Sequence, residues 1–306
     1  MKIEKFQLSP DGRVTLYCYL HHWTTTAGHY PVRAGVLVLP GGGYAMHGAS
    51  EGEPVAQAFF AQGFDSFVLR YSVGEHAVFP NSAADAGRAL MLIRENAAAW
   101  DLDPQKLAVC GFSAGGHVAA CLGTMWGRAD LQAACGAHGR ENRPDALILS
   151  YACISADIDG QREMYSLLAG DRSLEELQEL ASAENYVDAD TPPVFLWNMY
   201  DDQLVPVEQS LQFQMALARH DIPFEAHTYR HGIHGCGLAT PVTSIGAELR
   251  ENSHVARWFD DCCLWLTELF GAPVLDCPQT DLYFPGQGRA HPGIPAVSDD
   301  FFQTLE

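Results

Sequence analysis

A serine stands between two glycines in the segment Gly111-Phe112-Ser113-Ala114-Gly115. This spacing, G-x-S-x-G, is typical of a sharp strand-to-helix turn that exposes a serine hydroxyl as a nucleophile. Small neighbours suit such a turn, because a serine in a strained backbone conformation leaves no room for large side chains. The apolar run at residues 107–110 predicts the preceding strand. Residues 116–122 predict the following helix, whose N-terminus favours negative charge near Ser113.

A second serine fits the same five-letter pattern, in Gly48-Ala49-Ser50-Glu51-Gly52. No apolar run precedes it, so the strand that the turn requires is missing. The neighbouring carboxylate of Glu51 would also repel negative charge that develops on a substrate oxygen. We therefore interpret Ser113 as the nucleophile and Ser50 as a decoy. An inert turn serine is the alternative interpretation of Ser113.

A run of three glycines, Pro40-Gly41-Gly42-Gly43-Tyr44, follows directly on the apolar run at residues 36–39. Glycine lets a loop expose backbone N–H groups without a Cβ atom that blocks a substrate. Where such a serine is the nucleophile, a loop at this place donates N–H groups to the oxyanion, together with the residue after the serine. The predicted donors are Gly42, Gly43 and Ala114. The alternatives are a flexible turn and a phosphate loop. A phosphate loop is not favoured, because the lysine of its pattern G-x-x-x-x-G-K-[ST] is missing.

An acid and a histidine complete a site of this kind, in the chain order serine, acid, histidine. Asp201 and Asp202 follow one late apolar run, and His231 and His234 lie among glycines after the next. The residue pattern does not decide which aspartate and which histidine take part, although two adjacent aspartates cannot both point toward the site. A metal site at the two histidines is not favoured, because a third ligand and the glutamate of H-E-x-x-H are missing.

Short apolar runs alternate with longer helical patterns, which is typical of an α/β protein with a mostly parallel sheet and helices on both faces. The predicted strands lie at residues 3–8, 14–20, 36–39, 67–69, 107–110, 146–149, 194–197 and 224–229. The predicted helices lie at residues 54–62, 81–100, 116–122, 207–219 and 251–270. The sequence Pro10-Asp11-Gly12 predicts an antiparallel turn between the first two strands.

We expect residues 1–271 to form a single domain. Residues 153–191 depart from the alternation, include a helical stretch at 173–183, and lie where a small cap would cover a site. The tail at residues 272–306 is rich in Pro, Gly and Asp. We expect it to pack on the body or on a second copy of the chain, so a homo-oligomer is one expectation.

The formal net charge of −20 argues against nucleic-acid and anionic-membrane partners, since both need clustered Lys and Arg. No run of about 18 apolar residues predicts a membrane span. The N-terminus lacks the apolar run of a signal peptide, so we expect a cytoplasmic protein. Nine cysteines without a C-x-x-C pair predict buried free thiols rather than disulfides or a zinc site.

The ordered motifs resemble the α/β-hydrolase superfamily of esterases and lipases, in particular bacterial acetyl esterases related to the acetyl-xylan and feruloyl esterase group. The matching pieces are Leu39-Pro-Gly-Gly-Gly-Tyr44, Glu51-Gly-Glu-Pro54, Val109-Cys-Gly-Phe-Ser-Ala-Gly-Gly-His117, Asp201-Asp-Gln-Leu-Val-Pro-Val207 and His234-Gly-Cys-Gly-Leu238. The resemblance implies Asp202, four residues before Pro206, as the acid and His234 as the base. Pro40 stands where fuller H-G-G-G motifs have histidine, and Cys236 replaces an aromatic residue.

The resemblance implies a serine carboxylic-ester hydrolase that acts on small acyl esters, acetyl by preference, through an acyl-enzyme. No metal or cofactor is implied. Acetylated sugars or oligosaccharides are the implied substrates, and the short cap argues against a lipase that acts at an oil surface. We expect Tyr44, Trp126 and Trp197 to wall the substrate pocket, with an ordinary place in the core as the alternative.

Three other functions stay open. An arylformamidase-like amide hydrolase would use the same three residues. A serine peptidase of prolyl-oligopeptidase type is less favoured, because we would expect a propeller domain before the hydrolase body. A non-catalytic binding protein on this fold is disfavoured by the complete set Ser113, Asp202 and His234.

Overall fold

The computed structural model describes residues 1–22, 32–156 and 162–271. In these ranges, eight strands form one sheet. They are β1 (Lys2–Gln7), β2 (Thr15–Leu20), β3 (Arg33–Leu39), β4 (Asp65–Arg70), β5 (Leu102–Phe112), β6 (Ala146–Ser150), β7 (Val194–Met199) and β8 (Phe224–Tyr229). Their order across the sheet is β1-β2-β4-β3-β5-β6-β7-β8. Each strand overlaps one that the sequence predicts.

One strand of the sheet runs against the others. β2 pairs antiparallel with both β1 and β4, and the pairs from β3 to β8 are parallel. The predicted mostly parallel sheet is therefore confirmed. Parallel pairing brings the carboxyl ends of β3, β5, β7 and β8 to the same edge of the sheet, where ligands bind in open α/β proteins.

Helices connect the strands and cover the sheet. They are α1 (Glu53–Ala61), α2 (Asn81–Asn96), α3 (Ala114–Met125), α4 (Ala129–Cys135), α5 (Arg162–Ala169), α6 (Leu174–Ala181), α7 (Val207–Arg219), α8 (Pro241–Ser244) and α9 (Arg257–Phe270). The sequence does not predict the short helices α4, α5 and α8, which have four to eight residues.

Two apolar cores lie on opposite faces of the sheet. Along β3, Leu37 and Leu39 belong to one core, and Val36 and Val38 belong to the other, as the alternation of a strand requires. Side chains of α2 and α3 complete the first core, and those of α1 and α9 complete the second. Burial on both faces explains why the strands appear in the sequence as unbroken apolar runs. The predicted helices on both faces are thereby confirmed.

Helix α9 begins at Arg257, although its apolar pattern predicts a start at residue 251. The side chain of Asn252 explains the later start. Its Oδ1 accepts hydrogen bonds from the N–H groups of His254 (3.1 Å) and Val255 (3.2 Å). Such a local side-chain turn competes with the helical hydrogen bonds of the same residues.

The segment expected to form a cap contains α5, α6 and the 3₁₀ turn Ala183–Tyr186, while residues 157–161 lie outside the described ranges. Helix α6 begins with a capping box, in which the side chains of Ser173 and Glu176 each accept the other residue's backbone N–H (3.1 and 2.9 Å). Gln209 of α7 ties the segment to the body, because its Oε1 accepts the N–H groups of Ile154 (2.6 Å) and Ser155 (2.7 Å).

The eight cysteines of the described ranges are free thiols, and all except Cys263 are buried, as predicted. None of the helices in these ranges combines the length and the apolar character that crossing a membrane requires. The predicted tail at residues 272–306 lies outside the described residues.

Replacement of Gly115 by alanine is expected to destabilise the corner between β5 and α3. A Cβ atom there would lie 2.2 Å from the carbonyl oxygen of Leu39 and 2.5 Å from that of Pro40, and backbone atoms cannot move aside cheaply. We expect denaturant unfolding to show a loss of at least about 2 kcal/mol. Gly127→Ala is the matched control, because a Cβ atom at Gly127 meets nothing within 4 Å. That control should change stability by less than about 1 kcal/mol, and equal losses in the two variants would contradict the close approach.

Candidate active site

The backbone of Ser113 is held in a strained conformation at the corner between β5 and α3. Its φ of 52° and ψ of −120° are values that residues with a Cβ atom rarely adopt. Three backbone hydrogen bonds hold it there, from Ser113 N–H to Ser150 O (3.0 Å) and to Ser113 O from the N–H groups of His117 (3.1 Å) and Cys153 (3.2 Å). A Cβ atom at Gly111 would lie 2.2 Å from Gly115 O, so this position requires glycine. The expected strand-to-helix turn is present.

Two hydrogen bonds connect Ser113, His234 and Asp202 in a line. His234 Nε2 lies 2.8 Å from Ser113 Oγ, and His234 Nδ1 lies 2.8 Å from Asp202 Oδ2. Because a carboxylate only accepts, Nδ1 carries the hydrogen, which leaves Nε2 to accept the serine O–H. The side chains of His234 and Asp202 are 12% and 0% exposed, so both bonds are sheltered from water. This geometry allows Nε2 to remove the proton of the serine as its oxygen attacks.

The loop after β7 fixes the orientation of Asp202. The second carboxylate oxygen, Oδ1, accepts the backbone N–H groups of Leu204 (2.9 Å) and Val205 (3.1 Å). Hydrogen bonds to an ionised acceptor are stronger than neutral ones. They hold the carboxylate so that Oδ2 faces His234.

Asp201 and His231, the other acid and histidine that the residue pattern allows, lie at the surface. His231 Nδ1 is 2.7 Å from Asp201 Oδ2, and the N–H of Gly232 donates to Asp201 Oδ1 (3.0 Å). The His231 side chain is 65% exposed. The structure therefore places Asp202 and His234, and not this surface pair, next to Ser113. Within the described ranges, no cluster of three His, Cys, Asp or Glu side chains could hold a metal ion.

The glycine loop after β3 turns back on itself beside Ser113. Gly42 and Gly43 have φ values of 127° and 61°, and a Cβ atom at Gly42 would lie 2.2 Å from Met46 O. In the described part of the chain, the N–H groups of Gly42, Gly43 and Ala114 donate to no protein acceptor. Gly42 and Gly43 line the same cleft as Ser113, and Ala114 begins α3. Unengaged N–H groups in such a place can bind a substrate oxygen.

A buried carboxylate lies beneath the glycine loop. Glu51, which the sequence pattern places in a decoy turn, is 4% exposed. Its Oε2 accepts the N–H of Gly41 (2.8 Å), and its Oε1 accepts the hydroxyl of Tyr151 (2.7 Å). Burial raises the pKa of the Glu51 carboxyl, and both hydrogen bonds and the nearby His234 oppose that rise. Glu51 therefore anchors the first glycine of the loop.

Tyr151 extends this connection to the loop that carries the histidine. Its hydroxyl also accepts the N–H of Gly237 (3.0 Å), and its ring meets the His234 ring at a steep angle, with 4.8 Å between centroids. No local pattern reveals the connection, because Glu51 and Tyr151 are 100 residues apart. In the sequence, only the family resemblance marks Glu51, as part of one of its motifs.

Ser113 and His234 line a cleft of about 840 Å³, within the range of about 300–1,000 Å³ typical of small-molecule sites. Besides the serine corner and the histidine loop, four parts of the chain contribute to it: the glycine loop with the turn that follows, helix α5, the loop after β7, and the segment after the histidine loop. Most of the lining side chains outside the glycine loop are apolar, namely Met46, Met164, Leu167, Leu204, Val205 and Ile245.

Tyr44 does not wall this cleft, which corrects the expectation from the sequence. Its ring is 2% exposed, and its hydroxyl donates to His117 Nδ1 (2.7 Å). His117 Nε2 in turn donates to Ala181 O (2.6 Å). Burial lowers the pKa of His117 to about 4, so the neutral ring can accept from the tyrosine. The backbone φ of 60° at Tyr44 accompanies this inward direction of the ring, toward α3 and the cap.

Trp126 and Trp197 also lie away from the cleft, contrary to expectation. Trp126 follows α3 at the end opposite to the serine corner, about 20 Å along the helix at about 1.5 Å per residue. Its ring lies 4.7 Å from the guanidinium of Arg140. Trp197 is 1% exposed and stacks on Trp258, with 4.9 Å between ring centroids. The alternative, a place in the core, is what the structure shows for Trp197, whereas Trp126 is half-buried.

The strand order and the serine corner after β5 define an α/β-hydrolase. A solved structure supports this class: MGS-M1, an alpha/beta hydrolase enzyme from a Medee basin deep-sea metagenome library. It is 33% identical and matches 88% of this chain and 98% of that one, with a TM-score of 0.72. The chain belongs to the BD-FAE family, whose model matches residues 23–217.

Two curated relatives have names that refer to xylan. The chain is 34% identical over 73% of its length to the Endo-1,4-beta-xylanase B of Butyrivibrio fibrisolvens. It is 27% identical over 76% of its length to the Acetylxylan esterase of Xylanibacter ruminicola. The chain spans only 35% and 46% of the lengths of these two relatives.

A second solved structure is an acetyl ester-xyloside bifunctional hydrolase from Caldicellulosiruptor lactoaceticus. It is 32% identical, matches 84% of this chain and 89% of that one, and has a TM-score of 0.70. With the family match and the first solved structure, this likeness confirms the predicted α/β-hydrolase fold.

Glu51→Gln is expected to disturb the glycine loop and the histidine loop together. A glutamine offers one acceptor oxygen, so its NH₂ group faces either the Gly41 N–H, which cannot accept, or the Tyr151 hydroxyl, which then has to reverse its hydrogen bond. The negative charge that strengthens both bonds is also lost. Displacement of the loop should lower kcat for p-nitrophenyl acetate by about 10- to 100-fold. The matched control is Glu53→Gln, because Glu53 forms a surface ion pair with Arg70 (3.2 Å). The same kcat in both variants would show that Glu51 has no positioning role.

Proposed function

We propose that the protein hydrolyses esters of small acyl groups, acetyl by preference, through an acyl-enzyme on Ser113. The observation that carries this proposal is the pair of 2.8 Å hydrogen bonds that joins Ser113, His234 and Asp202. Acetylated sugars or oligosaccharides are the proposed substrates. A small molecule is favoured over a nucleic acid or an anionic membrane, because the chain has a net charge of −20.

In the first half of the reaction, Ser113 Oγ attacks the carbonyl carbon of the ester while His234 Nε2 takes its proton. The π electrons of the carbonyl move to its oxygen. The N–H groups of Gly42, Gly43 and Ala114 are the proposed donors to this oxyanion, and loss of one such donor typically costs about 2.7–4 kcal/mol. The intermediate collapses, the bond to the alcohol oxygen breaks, and His234 gives its proton to that oxygen.

In the second half, a water molecule replaces the alcohol. His234 Nε2 takes a proton from the water as its oxygen attacks the acyl carbon, and the same three N–H groups hold the new oxyanion. Collapse breaks the bond to Ser113 Oγ, which recovers its proton from the imidazolium. Asp202 stabilises the imidazolium in both halves and keeps its tautomer fixed. Neither half uses a metal or a cofactor.

The cleft supports a small acyl group joined to a larger alcohol. Its volume of about 840 Å³ leaves ample space beyond an acetyl group of three heavy atoms. The names of two similar proteins, an acetylxylan esterase and an acetyl ester-xyloside hydrolase, support an acetyl ester of a saccharide. The described cap helices α5 and α6 have eight residues each, which is short for an amphipathic lid that opens on an oil surface.

A series of p-nitrophenyl esters from acetate to octanoate tests the acyl preference. We expect kcat/KM to be highest for acetate and at least about tenfold lower for octanoate. An apolar acyl channel would instead raise kcat/KM with chain length, because each added methylene would stabilise the bound transition state by up to about 0.8 kcal/mol. Ser113→Ala should lose turnover at every chain length. Ser50→Ala, which removes the other serine hydroxyl in the cleft, should keep most of it.

The same experiment includes a formamide arm with 4-nitroformanilide. Each enzymatic rate is divided by the hydroxide-catalysed rate of the same compound, since esters are intrinsically more reactive than amides. We expect the larger acceleration for p-nitrophenyl acetate. A larger acceleration for the formanilide would replace the proposed esterase with an arylformamidase-like hydrolase.

A further inference from the structure

Arg250 brings a positive charge into the active-site cleft. It ends the 3₁₀ segment Glu248–Arg250 and lines the cleft together with Ser113 and His234. Among the described residues of the lining, it is the only lysine or arginine, and the other lining side chain with a full charge is the Glu51 carboxylate. A cation in the same cleft as the reacting groups can contribute to substrate binding.

In the part of the chain that the structure describes, no carboxylate forms an ion pair with Arg250. Other arginines do form such pairs, for example Arg94 with Asp145 and Arg140 with Asp190, both at 2.9 Å. Glutamates on either side of Arg250 in the sequence, at positions 248 and 251, do not pair with it. The guanidinium therefore keeps donors that can bind a ligand.

Glu51 is close to Arg250 but does not occupy its donors. The two residues line the same cleft, and the charge of Arg250 acts against the rise that burial causes in the pKa of the Glu51 carboxyl. Both oxygens of Glu51 are already engaged, by Gly41 and by Tyr151. Arg250 thus influences the buried carboxylate at a distance while it stays available to the cleft.

Arg250 lines the cleft together with His234 and Gly235 of the histidine loop. Burial raises the pKa of the nearby Cys236 thiol to about 12, and the charge of Arg250 acts against that rise. In the proposed mechanism, His234 gives its proton to the departing alcohol. The proposed acetyl group is small, so most of the cleft that Arg250 lines is left for the alcohol portion of the ester.

We propose that Arg250 selects esters whose alcohol portion carries a carboxylate, a specificity that rests on the proposed ester hydrolysis. A chain with a net charge of −20 repels anions at long range, so recognition of an anionic substrate needs a local cation. The buried apolar side chains of Met164 and Val205 line the same cleft. They lower the local dielectric, which strengthens a guanidinium–carboxylate pair with two parallel N–H···O bonds.

Two isosteric acetyl esters test this specificity, 4-acetoxybenzoate and 4-acetoxybenzamide, which differ in the carboxylate alone. We expect Arg250→Gln to lower kcat/KM for the benzoate about tenfold, mainly through KM, and to leave the benzamide unchanged. Arg250→Lys should recover part of the loss, and high salt should weaken benzoate turnover in the unmodified protein only. Arg219→Gln on α7 is the control with the same change in net charge at an exposed position.

The outcomes separate this inference from the function on which it rests. Equal losses of both acetyl esters in Arg250→Gln would overturn it, because Arg250 would then act through Glu51 and the loops. Unchanged kinetics with both esters would also overturn it. If the unmodified protein hydrolyses neither compound nor p-nitrophenyl acetate, the proposed function fails and the inference fails with it.

Discussion

The site depends on one backbone conformation, the positive φ of Ser113. A residue with a side chain in such a region costs about 1–3 kcal/mol, so the surroundings must enforce it. Gly111 and Gly115 allow the close approach of α3 to the ends of β5 and β3, and Ser150 on β6 takes the serine N–H. The hydroxyl is thereby directed at His234 by the backbone itself. Little has to reorganise when its proton moves, which is the advantage of a preformed site.

Two buried carboxylates support the imidazole in different ways. Asp202 contacts it directly, whereas Glu51 contacts the loops around it. Through Glu51 and Tyr151, a continuous set of hydrogen bonds runs from the glycine loop to the histidine loop. Loops are otherwise the mobile parts of a fold, and a shared acceptor keeps these two in register. The charge of Glu51 is compatible with the site, because it faces the backbone N–H of Gly41 and the hydroxyl of Tyr151.

Local patterns in the sequence predict the strands and the serine corner, because burial on both faces and the need for small residues act on neighbours in the chain. Only the family resemblance distinguishes His234 from His231, since both lie in one glycine-rich loop and the path of that loop decides which faces inward. Residue type does not predict ring direction, so the sequence does not show that the hydroxyl of Tyr44 bonds His117 in the core. The positioning role of Glu51 is not predictable from a local pattern, because its partner Tyr151 is 100 residues away.

The central claim is that the corner presents an activated serine, and labelling with a fluorophosphonate tests it without regard to substrate preference. The serine oxygen attacks phosphorus, fluoride leaves, and the enzyme stays phosphonylated. Intact mass and peptide mapping should show one adduct for each chain, on Ser113. His234→Ala should form it at least about 100-fold more slowly. An adduct on Ser50 in place of Ser113, or labelling at the same rate without the imidazole, would contradict the account.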